Sequence, residues 1–280
     1  MVRVGRVGRI AFFAAIVAYI ALPMTAVVLY SLSARWTSNL LPDGYTLRHW
    51  RESLTETRLQ QAVLRTTWMA AATLVLDVAI VVPAVYWQRV RNPRIRILTE
   101  LSAAIPFVLP FVVIAFGILR LAGRYTPELL GTPWIILLGH AAIAFPFLYW
   151  AIDGAMAAAG ISRLNEAAQT CGATPVQILR HVVFPNIGAG LATGGMLVFA
   201  TSFGEFALVQ ILVGARFENV SLYSLNLLTE TSSQYEKLAV LTVVVFVILF
   251  AISVAVVALN RGQAGRFLPG VRAAEGGRSE

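Results

Sequence analysis

Charged side chains and reactive motifs are both scarce in this sequence. Asp, Glu, Lys and Arg make up 13% of its 280 residues, whereas roughly a quarter of the residues in a soluble domain are charged. The single cysteine, Cys171, excludes an internal disulfide and, having no companion at ligand spacing, a thiolate-held metal site. The only lysine, Lys237, follows Glu236 rather than the glycine that a P-loop requires, so the chain has no such nucleotide-binding loop.

Motifs of the common hydrolases are missing as well. The sequence contains no HExxH zinc motif and no GxSxG nucleophile elbow, and its three histidines, His49, His140 and His181, lie in different segments. We therefore expect neither an enzyme nor a cofactor bound by this chain. His140 lies within an apolar segment, where it is either a relay or ligand residue or a packing residue with a hydrogen bond to a neighbouring helix.

Long apolar runs are what the sequence has in abundance. Hydrophobic residues make up 58% of the chain and its mean hydropathy is +0.74. A bilayer core about 30 Å thick needs roughly 20 apolar residues in a helix, and a scan at that length predicts an all-α, polytopic membrane protein with about six transmembrane helices. The first follows Arg3, Arg6 and Arg9 and is too long for a signal peptide. The predicted spans are residues 10–30, 66–87, 97–119, 133–152, 187–213 and 238–259.

Arginine placement predicts the orientation, because basic residues beside spans resist translocation. The connection after the second span and the C-terminal tail are both basic, with Arg89, Arg91, Arg94 and Arg96 in the first and Arg261, Arg266, Arg272 and Arg278 in the second. We predict that both termini are cytoplasmic. Residues 1–9 form the N-terminal segment, 10–260 the membrane domain and 261–280 the tail.

The connection between the fourth and fifth spans, residues 153–186, carries the signals of two short helices. Ser162 is a candidate N-cap of a helix that ends near Cys171, where Gly172 supplies the left-handed residue. Thr174, Pro175 and Gln177 have the pattern of a capping box with proline at the first helical position. This second helix is expected to reach Phe184 and stop at Pro185. Its predicted apolar stripe comprises Val176, Leu179, Val182 and Val183.

Such an amphipathic helix pair is typical of a docking element. On the first helix, Glu166 precedes the small residues Ala167 and Ala168, which permit close approach by another surface. Any helical hairpin in a loop has similar caps. A DNA-binding helix-turn-helix is disfavoured, since only Arg163, Arg180 and His181 are basic or potentially so. We therefore expect no nucleic-acid partner.

These residues resemble the EAA loop of binding-protein-dependent ABC importer permeases, which have a MetI-like transmembrane domain. The family's usual ending, Ile-x-Leu-Pro, is Val-Val-Phe-Pro here. Among the family's branches, the sequence is most similar to the spermidine/putrescine type, which also includes phosphonate and iron importers. By this resemblance, the ATPase-coupling residues are Glu166, Ala167, Ala168, Gly172, Val182, Phe184 and Pro185.

The resemblance also implies partners. In such permeases the EAA loop seats in a cleft of a cytoplasmic ATPase, so the chain would work with two ATPase subunits that use the ATP. A second permease subunit, expected to be a different chain, and an extracytoplasmic solute-binding protein would complete the importer. The resemblance places it in the bacterial plasma (inner) membrane, with lipid around the spans. Two other classes remain: an ion-coupled secondary transporter or channel, expected to show inverted repeats or paired broken helices, and a scaffold that docks a cytoplasmic partner.

Two carboxylates lie within predicted spans, where lipid penalises charge. Asp77 either faces a substrate pathway or an adjacent subunit, or accepts a hydrogen bond from a serine or threonine of a neighbouring helix. Glu205 follows Gly204, which is expected to interrupt the fifth helix. Ser202 and Phe203 join these acids as candidate pathway residues, since the segment resembles the family's Ser-x-x-Glu/Asp-Phe element. Acids along the route would favour a polyamine or another small cation.

The fifth span also contains Gly190 and Gly194, a small-xxx-small pair. Such a pair brings two helices close together, either within this chain or at a contact between two permeases.

Overall fold

The fold is helical throughout its membrane part. The computed structural model describes residues 6–36, 39–229 and 234–264; residues 1–5 and 265–280, which belong to the predicted N-terminal segment and C-terminal tail, lie outside them. The helices of the described part are α1 (Arg6–Ser31), α2 (Arg48–Thr55), α3 (Thr57–Val90), α4 (Arg96–Val108), α5 (Phe111–Tyr125), α6 (Pro133–Ala158), α7 (Ile161–Thr170), α8 (Pro175–Ile178), α9 (Phe184–Asn186), α10 (Gly188–Gly204), α11 (Ala207–Leu212), α12 (Val220–Thr229) and α13 (Tyr235–Ala264).

Four helices of the described residues are long and apolar enough to cross a bilayer unbroken: Gly8–Ser31, Thr57–Val90, Pro133–Ala158 and Tyr235–Ala258. Two bent pairs raise the number to as many as six if each forms one span. The pairs are Pro93–Val108 with Phe111–Tyr125, bent by 110°, and Pro175–Asn186 with Gly188–Gly204, bent by 79°. This range includes the predicted six spans.

The third span is not the continuous helix that hydropathy predicted. It breaks between α4 and α5, where Leu109 adopts an extended conformation (φ −93°, ψ 133°) directly before Pro110. Proline disfavours the helical conformation of the preceding residue and has no N–H of its own to donate. The sequence showed no paired broken helices, and the two bent pairs of the structure correct that reading.

The described part also contains one short sheet that the all-α prediction did not include. Strand β1 (Ser33–Arg35) pairs antiparallel with β2 (Gly44–Tyr45) in the loop after the first span. The hydrogen bonds between these strands satisfy backbone N–H and C=O groups, so the paired residues have a defined conformation after the end of α1.

The described residues form two compact units. One comprises those up to Gln61 together with those of Tyr223–Leu249, and the other comprises Ala62–Leu222 and those from Phe250 onward. The larger unit contains two clusters of buried apolar side chains: one includes Leu148, Ile152, Ile178 and Val183, and the other includes Met69, Ile136 and Leu208.

Glycines bring α10 against α6 within this larger unit. A Cβ placed on Gly190 would lie 2.6 Å from the Cβ of Ala155, and one on Gly194 would lie 2.8 Å from the Cβ of Ala151. Both distances are too short for any larger side chain. The glycine pair therefore serves packing within the chain, as one of the two readings predicted.

Candidate functional site

The capping chemistry of the fourth connection forms largely as the sequence predicts. We call α7 and Pro175–Asn186 together the loop helix pair. Gly172 has φ +77°, and the N–H groups of Gly172 and Ala173 donate to the carbonyls of Gln169 and Ala168 at 2.9 and 3.1 Å. These two bonds define a Schellman motif. They turn the chain sharply after the first helix.

The second helix of the pair begins with the predicted capping box. The N–H of Thr174 donates to the side-chain oxygen of Gln177 at 2.8 Å, and the N–H of Gln177 donates to the Thr174 hydroxyl at 3.4 Å. The helix then widens into a π-helical turn at Leu179–Val183 and continues through Pro185 to Asn186. Pro185 was thus wrongly expected to stop it. As the second residue of α9, it lies where a proline is tolerated after the wider turn, and the bend falls at Ile187.

Two further details of the prediction were wrong. Ser162 is not the N-cap of α7; Gly160, with φ +62°, occupies that position. Val176 does not belong to the apolar stripe, because it is 74% exposed, whereas Ile178 is fully buried. The other three predicted members do contact the core: Val183 is buried, and Leu179 and Val182 are partly buried against the same apolar cluster.

The coupling residues that the resemblance named divide into exposed and partly buried ones. Glu166, Ala167, Gly172 and Pro185 are exposed, whereas Ala168, Val182 and Phe184 are half-buried and pack against the nearby apolar cluster. The loop helix pair therefore exposes a carboxylate, a small side chain and a tight turn, while its half-buried residues pack against the core.

A hydrogen bond joins the loop helix pair to the second span. The Tyr86 hydroxyl of α3 donates to Oδ1 of Asn165 at 2.7 Å, and Asn165 is only 3% exposed. Since Asn165 directly precedes Glu166, the buried and the exposed faces of α7 meet at these two neighbouring residues.

Three more polar contacts involve residues that follow Tyr86 on α3. Nε of Arg89 and Oδ1 of Asp153 lie 2.6 Å apart; because the N–H does not point along this line, the contact is an ion pair rather than an aligned hydrogen bond. Gln88 donates to the hydroxyl of Tyr149 at 3.2 Å and accepts a short bond of 2.5 Å from Thr99. These contacts connect α3 with α6 and α4.

The fifth span breaks at Glu205, as the position of Gly204 predicted. Helix α10 ends at Gly204, and Glu205 is extended with φ −72° and ψ 131°. Its carboxylate accepts hydrogen bonds from the backbone N–H groups of Leu208, at 3.0 and 2.9 Å, and Val209, at 3.3 Å. Glu205 therefore supplies acceptors to the N-terminal N–H groups of α11, which lack partners within their helix.

A buried polar chain continues from this break. The Ser202 hydroxyl lies 2.6 Å from Nδ1 of His140 and 3.4 Å from the Thr73 hydroxyl, so α10, α6 and α3 are joined. Nε2 of His140 lies 3.8 Å from Oε2 of Glu205. His140 makes the hydrogen bond to a neighbouring helix that one reading predicted.

The remaining pathway candidates are buried too. Asp77 is 2% exposed and Phe203 is 1% exposed, and the Phe203 ring packs on that of Phe199 with centroids 5.8 Å apart. Among the described residues, Oδ2 of Asp77 has no hydrogen-bond partner. Asp77 lies one turn after Thr73 on α3 and so belongs to the same side of that helix.

Sequence reasoning missed Tyr86, Arg89, Asp153 and Asn165. Tyr86, Arg89 and Asp153 lie near the ends of apolar segments, where they pass for ordinary boundary residues, and Asn165 lies within the connection between the fourth and fifth spans. No local signal marks Asn165 as buried, because neighbouring positions on a helix need not face opposite ways.

The geometry is thus that of a helical membrane protein with an exposed, capped helix pair before its fifth span. The family model for "Binding-protein-dependent transport system inner membrane component" matches residues 78–265. The chain belongs to this family. Its members are transport components rather than enzymes, in agreement with the expectation from the missing motifs.

Individual relatives agree with this family. The chain is 33% identical over 168 residues to the molybdenum transport system permease protein ModB of Mycobacterium tuberculosis, an alignment that covers 56% of this chain and 63% of that protein. It therefore spans less than two thirds of that relative. It is 30% identical to the putative ABC transporter permease protein ORF1 of Streptomyces antibioticus, covering 62% and 74%.

A third relative and a solved structure complete the comparison. The putative 2-aminoethylphosphonate transport system permease protein PhnV of Salmonella typhi is 24% identical over 189 residues, covering 68% of this chain and 71% of that protein. The structure of a bacterial ABC transporter involved in the import of alginate contains a chain that matches with a TM-score of 0.63 at 16% identity, over 94% of this chain and 98% of that chain. This likeness shows the MetI-like permease fold. The spermidine/putrescine branch finds no support in these relatives.

Proposed function

We propose that this chain is the membrane-spanning subunit of an ATP-driven importer and that the loop helix pair docks on a separate ATPase. The observation that carries the proposal is the arrangement of α7, in which Asn165 is buried at 3% exposure and the next two residues, Glu166 and Ala167, are exposed. Helix α7 is thus held by the core on one side and exposed on the other, which suits a surface that binds a rigid partner.

The complete importer would contain two such ATPase subunits, a second permease subunit from a different chain and an extracytoplasmic solute-binding protein. ATP would be used by the ATPase, in line with the missing P-loop in this sequence. The loop helix pair and both termini would face the cytoplasm, which agrees with the arginines at 89, 91, 94 and 96.

For the substrate, we propose a small oxyanion rather than a polyamine. Relatives named for molybdenum and for 2-aminoethylphosphonate transport support this class. The argument for a cation rested on two carboxylates, and that of Glu205 is occupied by the N–H groups of Leu208 and Val209, which leaves only Asp77 to support it. Molybdate and aminoethylphosphonate, each loaded on the cognate binding protein, should stimulate ATP hydrolysis by the reconstituted importer, whereas spermidine should not. Stimulation by spermidine alone would contradict this assignment.

The substrate pathway is proposed to pass the polar chain at Asp77, Ser202, Phe203 and Glu205. If so, the single substitutions Asp77→Asn and Glu205→Gln should each change the rate of uptake without lowering the amount of protein in the membrane, because a negative charge beside the route acts on a passing oxyanion. Uptake assays normalised to immunoblot abundance check this. Normal uptake by both variants would exclude these acids from the pathway.

Docking is tested by charge reversal on the exposed face of α7. Glu166→Arg should release the ATPase from the affinity-purified importer, because a cation would replace the anion at the proposed contact. Glu128→Arg is the matched control, since Glu128 is also exposed but lies in the connection between α5 and α6. Quantitative mass spectrometry of the purified complexes gives the ratio of ATPase to permease. Equal ratios in the two variants would contradict docking through Glu166.

A further inference from the structure

The polar contacts that join α3 to α4, α6 and α7 are concentrated at one end of the second span. Tyr86, Gln88 and Arg89 lie within one turn of α3. Each contacts a different partner on another helix: Tyr86 bonds Asn165 of α7, Gln88 bonds Tyr149 of α6 and Thr99 of α4, and Arg89 pairs with Asp153 of α6. We call these three residues and their partners the polar layer.

We infer that the polar layer transmits movement of the loop helix pair to the membrane helices and that the Tyr86–Asn165 hydrogen bond is its first link. The inference rests on the proposed function, because it presupposes that a partner moves α7. Asn165 is a positioning residue in this account. It touches neither the partner nor the substrate, but its neighbour Glu166 is exposed to the partner.

Burial makes this link stiff. Its acceptor residue, Asn165, is 3% exposed, and its donor residue, Tyr86, is half-buried. Water cannot easily reach the Asn165 side chain, so a displaced α7 would leave this buried acceptor unpaired unless α3 followed it. The cost of separation therefore favours joint movement of the two helices.

The remaining contacts distribute that movement. Asp153 is 8% exposed and pairs with Arg89 at 2.6 Å, while Nη2 of Arg96 in α4 approaches its other oxygen at 3.7 Å. The Asp153 carboxylate of α6 thus lies near positive charges from both α3 and α4. Together with the Gln88 contacts, it connects α3, α4 and α6 at the same end of the second span.

The smallest change that tests this inference is Tyr86→Phe, which removes one hydroxyl and leaves the ring. Asn165→Leu removes the acceptor, whereas Asn165→Asp keeps an oxygen for the Tyr86 hydroxyl. Tyr125→Phe is the matched control, since Tyr125 is 70% exposed in α5 and lies outside the polar layer. Three quantities are measured: the ATPase retained on purification, the basal rate of ATP hydrolysis, and the molybdate transported per ATP in proteoliposomes with the cognate binding protein. If the importer carries another solute, the stimulation of ATP hydrolysis by the binding protein is measured in place of molybdate transport.

We expect Tyr86→Phe and Asn165→Leu to retain the ATPase and its basal hydrolysis but to lower transport per ATP, or its stimulation, by about tenfold, as the loss of a buried hydrogen bond predicts. Asn165→Asp and Tyr125→Phe should stay near the parent value. An unchanged ratio in both disruptive variants, or a parallel loss of ATPase binding, would overturn the inference. The proposed function would survive either result as long as Glu166→Arg still releases the ATPase.

Discussion

Two helix interruptions in this protein are built with the same local chemistry but sit in different surroundings. At the loop helix pair, Gly172 and Thr174 form a turn and a cap, both at exposed positions. At the break of the fifth span, Glu205 caps α11 at 6% exposure and belongs to a buried chain with His140 and Ser202. The first interruption presents an exposed surface, which we propose binds a partner, and the second holds a span together around buried polar groups.

The largest effect should follow from Gly172→Pro in the exposed turn. Proline fixes φ near −65°, which is incompatible with the +77° of Gly172, and it removes the N–H that donates to Gln169; the local cost is about 3 kcal/mol or more. The ATPase should be absent from the purified importer. Gly172→Asn is the control, because asparagine tolerates the left-handed conformation. An ATPase retained by the proline variant would show that the turn is dispensable for docking.

A smaller effect is expected at the buried break. Glu205→Ala removes the acceptors of the Leu208 and Val209 N–H groups and should destabilise the protein by about 1–3 kcal/mol. Glu205→Gln keeps one side-chain oxygen and should be destabilised less. Thermal unfolding in detergent, followed by size-exclusion chromatography, measures both. If the two variants unfold alike, the capping role assigned to the carboxylate is incorrect.

The smallest effect should come from the cap of the second loop helix. Thr174→Ala removes the hydroxyl that accepts from the Gln177 N–H at 3.4 Å, and loss of such a cap costs about 1 kcal/mol. Thr174→Ser restores the acceptor and serves as the control. We expect weaker ATPase retention at elevated temperature for alanine only. Identical retention by the two variants would mean that Pro175 and the rest of the turn suffice.

The sequence predicted features whose cause lies within a few residues. Gly172 as a left-handed terminus, the Thr174–Gln177 capping box and the interruption at Gly204 all follow from local rules, and the structure confirms them. The break at Leu109–Pro110 was missed, although the proline was visible, because prolines inside α3 and α6 leave those helices unbroken. Hydropathy alone does not separate these cases.

Pairings between distant segments could not be predicted in the same way. Tyr86 and Asn165 are 79 residues apart, and Ser202 and His140 are 62 apart. No local pattern specifies such partners, because they depend on how the helices pack. The partners of Glu205 could not be predicted either. The sequence showed a carboxylate within a span, but only the structure showed that this carboxylate accepts hydrogen bonds from backbone N–H groups.

The most direct test of the account uses the single cysteine. Cys171 is exposed beside Gly172 at the end of α7, so a membrane-impermeant maleimide reports on this surface without a background from other thiols of the chain. We predict no labelling from outside intact cells, slow labelling in inside-out vesicles and faster labelling once the ATPase has been stripped from them. Labelling of Cys171 from outside intact cells, or equal rates with and without the ATPase, would contradict a cytoplasmic surface covered by that partner.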